Sequence, residues 1–173
     1  MIGARMSSAP GEMDRTRAKA FSTAASSGFI VLPSTPADRR AIYVPETYFS
    51  RGVRGERTDV VTAYDPETLE PMQEFPIPAK RAEYFPGIHS STLTDDGRFL
   101  VVFDVAPAQS VTVVDTTTGK VTADLTTPAC SLVYPSGPRR FFLLCATGEA
   151  LVVTLDENGA VASETRSGKF FDP

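Results

Sequence analysis

The sequence predicts an all-β protein that forms part of a β-propeller, with about three blades. Short apolar runs of strand length alternate with turns rich in Gly, Pro and Asp, and no stretch keeps a helical period. One pattern of strands and turns occurs three times along the chain. The aspartates that mark its turns, Asp65, Asp115 and Asp156, stand about 40 to 50 residues apart, which is the period of a propeller blade.

The three copies share the same order of features. In each copy an apolar strand follows a turn with arginine, and a second strand leads into an Asp-centred turn and a third strand. The copies cover residues 38–44 with 59–69, residues 96–103 with 110–120, and residues 138–145 with 150–159. Because a propeller closes with about four to eight blades, three copies predict an arc of a ring.

The strands and turns of each copy are consistent with blades. Residues 100–103 and 141–144 are apolar at every position, as expected for strands that lie between two neighbouring sheets. Gly97, Gly119 and Gly159 supply the positive φ that tight turns require. The acidic residues of these turns are expected to cap their own backbone, and they lack the spacing of a calcium loop; they are Asp95, Asp96, Asp115 and Asp156.

The first copy carries an insertion, residues 46–58, between its first two strands. It contains Arg51, Arg54 and Arg57 together with two glycines. Two interpretations of this insertion are possible: an anion-binding loop, or a surface loop whose charges are solvated or salt-bridged. The second is favoured because charge runs usually lie at the surface.

Composition limits the classes of function. With 42% hydrophobic and 22% charged residues, the chain has the composition of a globular protein. A net charge of -4 and a pI near 5.0 argue against a nucleic-acid partner, and no apolar run is long enough to span a membrane. Residues 1–27 are predicted to be a disordered or non-homologous leader without a visible signal peptide, and residues 28–173 the partial propeller.

The sequence offers no catalytic, cofactor-binding or metal-ligating residue. The only histidine, His89, precedes Ser90 and Ser91 without the glycine-flanked serine of a nucleophile elbow, so a structural role is expected. Two cysteines, Cys130 and Cys145, with one histidine cannot complete a tetrahedral zinc site. Their spacing alone leaves open a disulfide between antiparallel strands and two buried free thiols. The chain contains no tryptophan, so it cannot supply a cofactor derived from that residue.

Specific strings resemble the heavy (β) subunit of the quinoprotein amine dehydrogenases, the family of methylamine and aromatic amine dehydrogenases. The more specific strings are residues 49–59, which contain Arg-Gly-Glu-Arg-Thr-Asp, and the paired cysteines. The resemblance runs from about Gly28 to the C-terminus. It also includes residues 64–69, 76–81, 94–99, 106–110, 114–115 and 159–167.

This resemblance implies a seven-bladed propeller in the periplasm, in which Cys130 and Cys145 form a disulfide. It implies a small, disulfide-rich partner subunit that carries tryptophan tryptophylquinone. That quinone oxidises a primary amine to an aldehyde and ammonia and passes electrons to a small copper protein or a similar acceptor. The heavy subunit itself docks the small one, and no catalytic residue or cofactor is expected in this chain.

The chain is therefore expected to be a truncated, non-catalytic heavy subunit of an amine dehydrogenase, with neither a nucleic acid nor a membrane as partner. Two alternatives stay open: a propeller-type binding or scaffold module without a redox role, and an inactive gene remnant. Because an arc leaves two sheet faces open, residues 141–144 are expected to be partly exposed. Marginal stability is expected unless the arc oligomerises or binds the missing part of the ring.

Overall fold

The computed structural model describes residues 33–82 and 89–173. Regular secondary structure in these ranges consists of eleven β-strands, which confirms the all-β prediction. In chain order they are β1 Ile42–Phe49, β2 Arg57–Tyr64, β3 Pro71–Ile77, β4 Ser91–Leu93, β5 Phe99–Asp104, β6 Ser110–Asp115, β7 Val121–Thr126, β8 Cys130–Pro135, β9 Arg140–Cys145, β10 Ala150–Leu155 and β11 Val161–Arg166. No helix in the described part of the chain could cross a membrane.

The strands form three antiparallel sheets, and each sheet is a meander. We call β1–β3 the first blade, β4–β7 the second blade and β8–β11 the third blade. In the second and third blades a strand precedes the one equivalent to β1. At that place in the first blade the structure has an isolated bridge between Ser34 and Tyr43. The predicted arc of about three blades is therefore confirmed.

The second blade is packed on both faces. All residues of β5 and β6 are buried. Toward the third blade, Phe99, Val101 and Phe103 share a core cluster with Phe141 and Leu143 of β9. Burial of large apolar side chains on both faces of a sheet is the main stabilising contribution expected of neighbouring blades.

The opposite face of the second blade packs against the first blade. Leu100 of β5 shares a second core cluster with Tyr43 and Phe75 of the first blade. Gly119, in the turn between β6 and β7, has φ +68°, and a Cβ built on it would lie 2.4 Å from Cδ1 of Phe75. This turn therefore requires glycine both for its backbone conformation and for the close approach of the two blades.

The repeated aspartates cap their own turns, as the sequence predicts. In each blade one carboxylate oxygen accepts hydrogen bonds from two backbone N–H groups further along the turn. Asp65 accepts from Glu67 and Thr68 at 2.7 and 2.8 Å, Asp115 from Thr117 and Thr118 at 2.8 and 3.2 Å, and Asp156 from Asn158 and Ala160 at 2.8 and 2.9 Å.

Six of the thirteen residues of the predicted insertion, 46–58, belong to strands rather than to a loop. Glu46 to Phe49 extend β1, Arg57 and Thr58 begin β2, and only residues 50–56 form the connecting loop. The extension is stable because the ladder continues through the pairs Glu46↔Val60 and Thr47↔Asp59. Glu46 and Thr47 are both fully buried there. The insertion is thus a long β-hairpin.

One face of the third blade is partly exposed. Phe141 and Leu143 point toward the second blade and are fully buried, whereas the alternate residues Phe142 and Leu144 are half-buried. The ring of Phe142 stacks on that of Tyr134, with centroids 5.0 Å apart. In the described part of the chain no sheet packs against this face, which agrees with the expected partial exposure of residues 141–144.

Candidate functional site

A network of buried charged and polar side chains lies at the seam between the first and second blades. We call it the seam network. Asp59, Arg81 and Asp104 are its most buried charged members, with 1%, 4% and 0% of their surface exposed. The network comprises Thr47, Arg57, Asp59, Lys80, Arg81, Asp104, Ser110, Thr112 and Asp124.

Residues 80–82 follow β3 on the way to the second blade, and we call them the connector. One half of the seam network attaches this connector to the first blade. Arg57 donates to both carboxylate oxygens of Asp59 at 2.8 Å and to the backbone carbonyl of Arg81 at 2.8 Å. The backbone N–H of Arg81 donates to Asp59 at 2.9 Å, and the side-chain Nε of Arg81 donates to the Thr47 hydroxyl at 3.1 Å. A bidentate arginine–carboxylate pair of this kind is among the stronger hydrogen-bonded ion pairs.

The other half attaches the connector to the second blade. Nζ of Lys80 lies 3.5 Å from Oδ2 of Asp104 and 2.5 Å from Oδ1 of Asp124. The Thr112 hydroxyl donates to Oδ2 of Asp104 at 2.8 Å. Oδ1 of Asp104 is buried and has no hydrogen-bond partner in the described part of the chain. Burial raises the pKa of Asp104 to about 6, although the Thr112 and Lys80 contacts act in the opposite direction.

The backbone of the connector completes the attachment. Arg81 forms a β-bridge with Asp104, and the N–H of Ala82 donates to the Phe103 carbonyl at 3.1 Å. The N–H of Val105 donates to the Lys80 carbonyl at 3.0 Å. The charged groups of the seam network thus bind mainly to one another across two blades, an arrangement that positions the blades and the β1–β2 hairpin.

A further buried carboxylate, that of Glu46, lies on the other face of the first blade. Glu46 is fully buried, and it accepts hydrogen bonds from the hydroxyl of Thr62 and, at 3.1 Å, from that of Tyr64. Burial, followed by the charge of Glu46, raises the pKa of Tyr64 to about 12 and also raises that of Tyr48. The sequence pattern does not single out Glu46. The feature that could have indicated it is an acidic residue that directly follows the apolar residues of a predicted strand.

The opposite edge of the same seam contains a cleft of about 530 Å³, lined in part by Arg40 and Arg98. Arg40 donates to the Gly97 carbonyl at 2.6 Å and to the Thr116 hydroxyl at 3.0 Å. Arg98 donates to both oxygens of Asp115 at 3.1 and 2.8 Å. Both arginines thus stabilise turns of the second blade, and the cleft gains little free positive charge from them.

The residues singled out in the sequence occupy structural positions. Cys130 and Cys145 face each other on β8 and β9 and are joined by a disulfide, buried in the core between the second and third blades. The carbonyl of His89 accepts a hydrogen bond from the N–H of Val133 at 2.8 Å. The ring centroids of His89 and Tyr134 lie 3.9 Å apart. The described residues include no group of His, Cys, Asp and Glu that could hold a metal ion.

These three sheets define the chain as part of a β-propeller protein. It is similar to the "Structure of Dos1 propeller", with a TM-score of 0.52 and 10% identity over 80% of this chain and 34% of that one. It is also similar to the "Kuenenia stuttgartiensis Hydrazine Synthase", with a TM-score of 0.54 and 17% identity over 83% of this chain and 37% of that one. At these identities the likeness shows the fold alone.

The sequence identifies the family. The model described as "Methylamine dehydrogenase heavy chain (MADH)" matches residues 14–173, and the chain belongs to this family. The methylamine dehydrogenase heavy chain of Methylorubrum extorquens is 28% identical over 85% of this chain and 36% of its own length. That of Paracoccus versutus is 30% identical over 70% of this chain and 29% of its own length.

The chain therefore spans about a third of the length of the relatives it matches. The family match begins inside residues 1–27, the segment predicted to be a leader, which lies outside the described residues. The resemblance to heavy subunits that the sequence indicates is confirmed.

Proposed function

We propose that this chain is part of the heavy subunit of an amine dehydrogenase, an enzyme that oxidises primary amines to an aldehyde and ammonia. The observation that carries the proposal is the family match over residues 14–173. The three packed blades support the proposal, because the residues that match the family form part of a propeller.

The role of this chain is to bind rather than to catalyse. The resemblance to the family implies that the tryptophan tryptophylquinone, which accepts the electrons of the amine, belongs to a small partner subunit; this chain has no tryptophan from which to form it. Arg57 pairs with Asp59, and Lys80 with Asp104, inside the seam network, which supports a structural rather than a catalytic role for these groups. The chain docks the small subunit.

The proposal includes the periplasm and a small copper protein that accepts the electrons. The buried disulfide between Cys130 and Cys145 supports an oxidising compartment, because disulfides persist in the periplasm and are rare in the cytosol.

Co-expression with the small subunit of a methylamine dehydrogenase tests the proposal. We expect the two chains to co-elute in size-exclusion chromatography, and the complex to reduce a redox dye when a primary amine is added. A complex without amine-dependent dye reduction would favour the scaffold alternative. The absence of any complex would contradict the proposed function.

A further inference from the structure

The β1–β2 hairpin extends further than its counterparts in the other blades. β1 and β2 each have eight residues, whereas β5, β6, β9 and β10 each have six. Every residue of its connecting loop, 50–56, is exposed. We call residues 50–56 the hairpin tip. A long ladder that ends in an exposed loop places this tip at the edge of the blade, where another molecule can reach it.

The hairpin tip is held in one conformation by its own hydrogen bonds. The N–H of Ser50 donates to the Glu56 carbonyl and that of Arg51 to the Arg54 carbonyl, both at 3.0 Å. The N–H of Glu56 donates to the Ser50 hydroxyl at 3.0 Å. At its base, the ion pair of Arg57 with buried Asp59 ties the hairpin to the seam network. A loop that is already ordered loses little conformational entropy when it binds.

The chemistry of the hairpin tip suits an acidic protein surface. Arg51 and Arg54 are exposed, and neither forms an ion pair within the described part of the chain, although the whole chain is acidic. Between them Val53 is 79% exposed, and Tyr48 at the end of β1 is 39% exposed. Arginine and tyrosine are enriched in protein interfaces, and an exposed aliphatic side chain between two arginines adds apolar contact area.

A small anion fits this loop less well than a protein does. Anion-binding loops offer several free backbone N–H groups that converge on one point. In the hairpin tip the N–H groups of Ser50, Arg51 and Glu56 already have partners inside the loop. The side chain of Val53, at the centre of the tip, offers only apolar surface to an anion.

We propose that the hairpin tip is the docking element of this chain for the small subunit, and that Arg51 and Arg54 contact an acidic patch on it. This inference rests on the proposed function, because it names the contact through which that partner is bound. It gives Arg51 and Arg54, which take no part in the seam network, a role in binding.

Charge reversal of the hairpin tip tests the inference. Arg51→Glu with Arg54→Glu changes only exposed side chains, so far-ultraviolet circular dichroism and the unfolding midpoint should stay as in the unaltered chain. Binding to the immobilised small subunit of the Methylorubrum extorquens enzyme should weaken about tenfold or more, because opposed charges at an interface become like charges. The affinity of the unaltered chain should fall as salt is raised.

A matched control reverses two exposed charges elsewhere. Lys120 and Arg140 lie near the turns at the opposite edge of the sheets, so Lys120→Glu with Arg140→Glu makes the same change in net charge. This variant should bind the small subunit with the affinity of the unaltered chain.

The outcomes separate the two proposals. If the unaltered chain binds and the Arg51/Arg54 variant binds equally well, the inference is wrong and the proposed function stands. If both double variants weaken binding to the same extent, only the net charge matters and the inference is again wrong. If the unaltered chain does not bind the small subunit at all, both proposals are contradicted.

Discussion

At Asp104, the cost of burying a charged carboxylate competes with its attraction to Lys80. The pKa of about 6 lies above the ordinary value of 3.8, so the folded protein holds this proton more tightly than the unfolded chain does. The stabilising contribution of the protonated group is complete below about pH 4 and is lost as the pH rises through about 6. A shift of about two pKa units corresponds to roughly 3 kcal/mol.

We therefore expect Asp104→Asn to change the pH dependence of stability. The asparagine oxygen can still accept the Thr112 hydroxyl, and no charge appears on residue 104 above pH 6. Between pH 4.5 and 7.5 the free energy of unfolding of the variant, relative to the unaltered protein, should rise by ~2 kcal/mol. Urea denaturation at the two pH values measures this difference.

Asp124→Asn serves as the control for this prediction. Asp124 also contacts Lys80, but its side chain is 48% exposed, and its charge is only a minor cause of the raised pKa of Asp104. This variant should therefore retain most of the pH dependence of the unaltered protein. If Asp104→Asn and the unaltered protein show the same dependence on pH, the raised pKa of Asp104 does not contribute to stability.

Among the elements, β8 is the least regular strand of the third blade. Its pairing with β9 shifts register between Ser131 and Tyr134, and Leu132 lies at φ +63°. The pair Cys130↔Cys145 precedes this irregularity. The disulfide thus fixes the first residue pair of β8 and β9, two strands whose hydrogen-bonded pairing is irregular.

Replacing Cys130 and Cys145 together by alanine should lower the free energy of unfolding by about 3 kcal/mol, because the bridge spans 15 residues of chain and restricts the unfolded state. Guanidinium denaturation with and without a thiol reductant measures the effect. The reductant should lower the midpoint of the unaltered protein and leave that of the variant unchanged. Thiol titration shows whether the disulfide of the unaltered protein is fully reduced. If it is, and the denaturation midpoint is the same with and without reductant, this account is contradicted.

Across the whole molecule, the third blade has one face in the core and one face half-buried. Phe141 and Phe142 are neighbours in sequence, yet Phe141 is fully buried against the second blade and Phe142 lies on the open face. Packing of blade against blade, rather than within a blade, thus holds the arc together. The marginal stability expected of an arc with open faces stays a prediction.

These two phenylalanines offer a matched pair of substitutions. Phe141→Ala should lower the free energy of unfolding by about 3–5 kcal/mol, because it leaves a cavity between two blades. Phe142→Ala should cost clearly less, because its ring is already partly solvated. Urea denaturation of both variants measures the difference, and equal losses would show that the open face is covered in solution.

Much of the fold follows from short-range patterns in the sequence. Alternating apolar positions specify strands such as β6, and Asp-centred turns such as that at Asp115 mark where those strands end. The recurrence of this pattern predicts the blades, because each blade is a local meander whose strands follow one another in the chain. The residues around Arg57 and the two cysteines likewise indicate the family through their order in the chain alone.

The seam network and the extended hairpin depend on the tertiary structure. Lys80 and Asp124 lie 44 residues apart in the chain, and their contact exists only because the segment between β3 and β4 packs against the second blade. The sequence pattern places Glu46 and Thr47 in an insertion, since it does not reveal that they are buried in a strand. Periodicity and turn chemistry are local properties, whereas burial and ion pairing depend on which distant residues the packed sheets bring together.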